Sequence, residues 1–267
     1  MSDSLLLDAM VAAALEAGQA ANRIYHGAFE VHTKADDSPV TMADQVGEEI
    51  ILRHLAAHAP DIAVVAEEQA AAGHIPQLGA EFFLVDPLDG TKEFVHRRGE
   101  FTVNIALIRA AAPVLGVVYA PASGRLFIGN VPSTRAVRAT LDPNNPVVAG
   151  LAPIRVRDVP AAGVTAVASR SHRTPETDAY LGHYTVAQLV SVGSSLKFCM
   201  VAAGEADLYP RLGPTMEWDT AAGHAVLAAA GGRVLGPDLQ PLCYGKPQFR
   251  NPWFVASGAF VPHAVAA

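Results

Sequence analysis

The chain has 267 residues, 51% of them hydrophobic, and 19 Lys and Arg against 26 Asp and Glu give a formal net charge of -7. That is enough apolar material for a large core in two lobes and excludes a disordered chain, while the acidic balance excludes the basic surface that nucleic-acid polymers and anionic membranes require. Two cysteines, Cys199 and Cys243, stand far apart without paired spacing, which excludes a disulfide framework or a zinc pattern and fits a reducing cytoplasm.

Leu5 to Tyr25 carries apolar residues at helical spacing, interrupted by Asp8 and Glu16, so it predicts a helix packed on the body of the protein and not a signal peptide. No uncharged apolar run reaches the roughly 18 residues of a membrane span. A polar loop, Lys34 to Val40, leads to Thr41-Met42-Ala43-Asp44, which opens an amphipathic segment to about His58. Thr41 with Asp44 resembles a capping box, with Asp in place of the usual Glu or Gln, so Asp44 reads equally as a helix cap and as a catalytic carboxylate. Asp61 to Ala66 is a short β-prone run ending in Glu67-Glu68. Paired acids after a buried strand suit a cation, because a buried carboxylate needs a partner or a metal; a solvated strand end stays open for one of the two.

The apolar run Phe82-Phe83-Leu84-Val85 predicts a buried strand, and Asp86-Pro87-Leu88-Asp89-Gly90-Thr91 follows it as a turn. Pro87 fixes its own φ, so the turn is stiff and can aim Asp86 and Asp89 at one point, with the Leu88 carbonyl beside them. Gly90 permits close backbone approach, and a helix starting here would turn the N–H groups of Gly90 and Thr91 toward an anion. Carboxylates, a carbonyl and substrate phosphate are the oxygen ligands that a hard cation such as Mg2+ takes. In isolation the string reads as a surface turn whose Asp residues cap backbone groups; its neighbours along the chain favour a metal-bound phosphate site.

Phe101 to Leu107, Val114 to Tyr119 and Leu126 to Ile128 predict antiparallel strands of one sheet. A Pro- and Asn-rich stretch near 132–153 suggests a lobe boundary, giving an N-terminal α+β lobe at 1–135 with the metal motif and a C-terminal α/β lobe at 136–267 that completes the site. In the second lobe, strands at 164–168 and 186–192 alternate with helices at 175–181 and 196–203. Gly193-Ser194-Ser195 before Lys197 reads either as a phosphate cradle or as an ordinary N-cap. Ala206 to Arg211 is a strand into a loop. Glu217-Trp218-Asp219-Thr220 opens a helix from Ala221 to Ala230, closed by Gly231-Gly232 and so rich in Ala and Gly that it must pack closely and carry Asp219 inward.

Ala66-Glu67-Glu68, Val85 to Thr91 and Glu217 to Gly223, in this order, resemble the inositol monophosphatase superfamily. Within it, Asp89 to Phe94, Gly99 to Leu107 and Gly193 to Cys199 are similar to the 3'(2'),5'-bisphosphate nucleotidase type; typical inositol monophosphatases carry Thr-Asn after the Gly-Thr. The resemblance implies a layered αβαβα sugar-phosphatase fold and hydrolysis of a phosphomonoester by water with two or three Mg2+ ions and no phosphoenzyme. It makes Glu67, Asp86, the Leu88 carbonyl, Asp89 and Asp219 the metal ligands. Asp44 and Thr91 orient the attacking water, with Glu67 counted beside them in catalysis. Gly90 and Thr91 face the phosphate, which Glu67, Leu88, Asp89 and Asp219 also approach. His172, Ser194, Lys197 and Arg211 lie where nucleotide-specific relatives meet the rest of the substrate, and Lys34 matches a lysine near the site.

Four carboxylates at one spot would repel unless divalent ions neutralised them, and two such ions about 3.5 to 4 Å apart can stabilise both attacking and leaving oxygens. The expected reaction is conversion of adenosine 3',5'-bisphosphate, with 3'-phosphoadenylyl sulfate as a further substrate, to AMP and phosphate, as in sulfur assimilation. An inositol phosphatase using the same metal site is the alternative, and a non-catalytic phosphometabolite-binding protein the rival of another class. The expected partner is a small phosphorylated nucleotide, with no nucleic-acid polymer and no integral membrane span. The expected setting is cytoplasmic, with peripheral contact at the inner membrane and a homodimer left open.

Overall fold

The computed structural model describes residues 2–33, 39–169 and 173–265. Two sheets organise the molecule. The first has seven strands in the order of the chain: β3 (Ala63–Ala66), β4 (Glu81–Asp89), β5 (Thr102–Arg109), β6 (Ala112–Ala120), β7 (Arg125–Asn130), β8 (Arg135–Thr140) and β9 (Ala152–Pro153). β3 runs parallel to β4 and every other pair is antiparallel. The second sheet orders its five strands as β11 (Val186–Val192), β10 (Val164–Ser169), β12 (Leu208–Arg211), β14 (Phe254–Ser257) and β13 (Arg233–Leu235). Its β10 is parallel to β11 and β12, whereas β12, β14 and β13 pair antiparallel. A small hairpin of β1 (Val31–Thr33) and β2 (Pro39–Thr41) precedes both.

Helices fill the layers between and outside. α1 (Asp3–His26) and α2 (Met42–His58) lie together on one face of the first sheet, where Met10, Ala13, Ala14 and Ala17 share a core with Phe83, Ile105 and Val117. By length and composition α1 is the one helix among the described residues that could cross a membrane, but its apolar face is buried in this core. On the other face, α6 (Leu196–Ala202) and α7 (Ala221–Ala229) are pressed between the two sheets, and Phe198, Val226 and Leu227 join Leu84, Val118, Phe127 and Phe254 in one core. α5 (Pro175–Leu181) covers the outer side of the second sheet through Tyr180 and Leu181. The result is the αβαβα layering that the family resemblance implies.

Small residues make the central contact. A Cβ on Gly116 would stand 2.4 Å from the Ala222 carbonyl oxygen, and one on Gly129 would stand 2.6 Å from Val226 Cα. The Ala- and Gly-rich helix therefore rests directly on the sheet backbone. The sequence did not announce β8, β9, β13 and β14. The first sheet runs on through β8 into the stretch read as a boundary, because Ala136 and Val137 are buried while the neighbouring arginines are exposed, a weak apolar signal on the outer part of a sheet.

Candidate active site

β4 carries the central motif, and its local geometry differs from the terminal turn expected. Asp86 pairs with Asn104 and Asp89 with Thr102, so Pro87 and Leu88 together oppose Val103 alone in a bulge within the strand. Pro87 has no N–H to lose from the ladder, and Leu88 N–H donates to Asp86 Oδ1 at 2.9 Å, which closes the bulge locally. Gly90 then adopts φ 93, a left-handed conformation that admits the chain into the short helix α4 (Thr91–Val95). A bulge re-aims side chains, and here both aspartates line one cleft.

Three further elements meet them. Ala66 pairs with Val85 in the parallel register, so Glu67, the first residue of α3 (Glu67–Ala71), follows on beside Asp86. Buried Glu48 on α2 accepts from the N–H groups of Glu68 and Gln69 at 2.7 and 3.0 Å, and so fixes the turn that carries Glu67; burial pushes its carboxyl up to about 7. Asp219 enters from the turn before α7, with Oδ2 accepting the Met216 N–H at 2.8 Å. It is partly exposed to the cleft wall, less deep than the sequence suggested.

The electrostatics match this convergence. Burial, then the charges of Glu67, Asp89 and Asp219, raise the Asp86 carboxyl well above the usual range. Asp219 is raised well above it by burial, then by Asp89 and Glu67. Asp89 is also raised by burial, against a counteracting pull from Lys197. The donors are all oxygens, which fits a hard cation such as Mg2+ and relieves this repulsion. Among the described residues no three His, Cys, Asp or Glu side chains gather closely enough to enclose a single ion. Glu67, Asp86, Asp89 and Asp219 line one cleft.

Asp44 caps α2 and also meets Thr91. Its Oδ2 accepts from Thr41 N–H at 2.7 Å and Thr41 Oγ1 at 2.8 Å, while Thr41 Oγ1 accepts from Ala43 N–H at 3.1 Å, so the capping box is complete. Its Oδ1 accepts from Thr91 Oγ1 at 3.2 Å. Burial lifts the Asp44 carboxyl to about 6, with Glu68 and Glu67 adding to the rise against the Thr41 hydrogen bonds.

Across the cleft stand Ser194, Lys197 and Arg211. Lys197 is not a solvated helix residue: it is 4% exposed, its Nζ donates to the Ser194 and Val192 carbonyls and lies 5.3 Å from the centre of the Tyr209 ring, and burial lowers its pKa to about 8. Ser194 holds φ 52, a left-handed conformation unusual for serine. Arg211 donates to the Pro214 carbonyl at 2.8 Å, while its buried Nε has no partner among the described residues. His172 and Lys34 lie outside the described residues.

Local spacing assigns no role to Glu48, Asn104 or Glu217, and reads Ser195 only as part of a phosphate cradle or an N-cap. Glu217 is fully buried, accepts the N–H groups of Gly245 and Lys246 at 2.7 and 2.9 Å, and pairs with Lys246 Nζ at 2.6 Å, tying the 243–249 loop to the start of α7. Its presence in an acidic motif was the only available signal.

A family model for the inositol monophosphatase family matches residues 3–253. The chain is 45% identical over 255 residues to the 3'(2'),5'-bisphosphate nucleotidase CysQ of Escherichia coli O157:H7, covering 94% of this chain and 99% of that protein. The crystal structure of CysQ from Bacteroides thetaiotaomicron, a bacterial member of the inositol monophosphatase family, matches with a TM-score of 0.80 at 38% identity over 95% of this chain and 97% of that one. An inositol monophosphatase structure from Anabaena matches at 0.72 with 28% identity, over 95% and 91%. Fold, cleft and relatives together define a phosphoric monoester hydrolase. The chain belongs to the inositol monophosphatase family and is similar to CysQ-type members over nearly its whole length.

Proposed function

We propose that this chain is a cytoplasmic, Mg2+-dependent phosphomonoesterase that removes the 3'-phosphate of adenosine 3',5'-bisphosphate, and that of 3'-phosphoadenylyl sulfate. The observation that carries the proposal is the pairing of two opposed features in one cleft: carboxylates facing one another on one side, and the buried cation Lys197 with Arg211 on the other. One side suits a metal-held phosphate, and the other suits a second anion on the same substrate. The CysQ relatives support a nucleotide bisphosphate as that substrate.

In this reading Glu67, Asp86, Asp89, Asp219 and the Leu88 carbonyl would hold two or three Mg2+ ions. The bound ions would supply positive charge against the phosphoryl oxygens and acidify water. In this reading Thr91 Oγ1, whose one proton lies between Asp44 Oδ1 and the Leu88 carbonyl, donates to Asp44 and offers its lone pair to the attacking water, so that the water is oriented and its proton passes toward Asp44. The N–H groups of Gly90 and Thr91 meet the phosphate that leaves. Ser194, Lys197 and Arg211 hold the phosphate that stays. The lobes meet at this cleft, 1–135 supplying the bulge and 136–267 the cationic wall and Asp219, while the strands at 135–153 extend the first sheet across that boundary.

Phosphate release from adenosine 3',5'-bisphosphate, adenosine 3'-monophosphate and inositol 1-phosphate, in EDTA and with Mg2+ or Zn2+ restored, tests the proposal. The expected outcome is no turnover in chelator, recovery with Mg2+ over Zn2+, and preference for the bisphosphate. Full activity in EDTA would end the metal reading, and preference for inositol 1-phosphate would shift the assignment to a sugar phosphatase.

A further inference from the structure

Ser195 occupies the N-cap of α6, yet its hydroxyl makes no capping bond to the helix. Its Oγ stands 3.0 Å from Asp89 Oδ2 and 2.7 Å from the Asp219 carbonyl oxygen, and it accepts from Asn104 Nδ2 at 2.9 Å. The same Asn104 Nδ2 is 3.4 Å from Asp89 Oδ2. One hydroxyl proton serves one acceptor at a time, so Ser195 links Asp89 and the Asp219 main chain as alternative acceptors while the amide holds its lone pair. Both residues are buried, at 1% and 0% exposure. Asn104 Oδ1 has no partner among the described residues, so the amide leaves half of its hydrogen-bonding capacity unused while Nδ2 is aimed at Ser195 and Asp89.

The chain separations are large. Asn104 comes from β5, Asp89 from the β4 bulge, Ser195 from the start of α6 and Asp219 from the turn before α7. This is the junction between the first sheet and the helices that follow it in the core. We propose that Ser195, oriented by Asn104, is a positioning residue that locks the Asp89 carboxylate in one rotamer and sets its spacing to Asp219. The proposal rests on the reading of Asp89 and Asp219 as metal ligands, and assigns Ser195 a task distinct from that of Ser194, which faces substrate.

Removing an outer partner of a metal ligand typically weakens metal binding about 10- to 100-fold. Calorimetric titration of substrate-free protein with Mg2+ reads this directly, alongside thermal unfolding in EDTA and the Mg2+ dependence of turnover. Ser195→Ala should bind Mg2+ roughly tenfold or more weakly, unfold in EDTA near the wild-type temperature, and regain most of its kcat at saturating Mg2+. Ser195→Thr, which keeps the hydroxyl, should stay within about threefold of wild type. Equal Mg2+ affinity in wild type and Ser195→Ala would overturn the proposal while leaving the Mg2+ enzyme intact; a wild type that takes up no Mg2+ would overturn both. Asn104→Leu, close in volume, gives a second reading should Ser195→Ala not fold, and unchanged Mg2+ affinity there would equally overturn the assignment.

Discussion

Thr91 and Asp44, 47 positions apart in sequence, are joined by a 3.2 Å hydrogen bond from Thr91 Oγ1 to Asp44 Oδ1. The bond is directional because the other carboxylate oxygen is already held by the main chain and side chain of Thr41. The cap of α2 therefore does two things: it starts the helix and presents one oxygen to Thr91, which lines the cleft. A carboxylate held on both oxygens has its rotamer fixed before any substrate arrives.

The same burial makes a pH prediction for the metal-free protein. The folded-state pKa of Asp44 is raised from 3.8 to about 6, so the folded protein binds this proton more tightly than the unfolded chain. Its stabilising share is complete below the unfolded value and is lost as pH rises through about 6. Between pH 5 and 7.5 in EDTA, wild type should lose roughly 1 kcal/mol of stability relative to Asp44→Asn. Urea unfolding at both pH values checks this, and a constant difference between the two proteins would show that Asp44 is not raised.

Lys197 offers a test of substrate choice. With its charge buried beside the cleft, Lys197→Ala should reduce kcat/KM for adenosine 3',5'-bisphosphate by about tenfold to a hundredfold, the usual effect of one lost charge-assisted hydrogen bond. A plain 3'-monophosphate should be affected far less, having no second phosphate to lose. Lys197→Met separates charge from volume. An equal loss on both substrates would mean that Lys197 supports the fold of the 192–197 turn and not the second phosphate.

The α7 interface has little tolerance for bulk. Gly129→Ala places a methyl group 2.6 Å from Val226 Cα and 2.8 Å from the Ala225 carbonyl oxygen, both backbone atoms that cannot rotate away. Overpacking of this kind costs about 1 to 3 kcal/mol, and because α7 begins beside Asp219 the Mg2+ affinity should fall with it. Unfolding and calorimetry on one sample would check both effects. A variant as stable as wild type would mean that the helix can lift from the sheet without loss.

The apolar strands, the long helices and the local chemistry of the central motif are legible in local pattern, because period, proline and glycine act within a few residues. So are the Thr41 cap and the small-residue character of α7, from which close packing followed. The bulge at Pro87-Leu88 required the partner strand, since only the register against Asn104 and Thr102 distinguishes a bulge from a terminal turn. β8, β9, β13 and β14 needed their neighbours too, their short segments gaining from pairing what they lack in apolar pattern. The same holds for Glu48, Asn104 and Ser195, whose partners lie 20, 91 and 106 positions away. Hydrogen bonds over such separations leave no trace in local spacing, and it is the packing of α2, β5, α6 and the Asp219 turn that buries these polar side chains instead of leaving them in solvent.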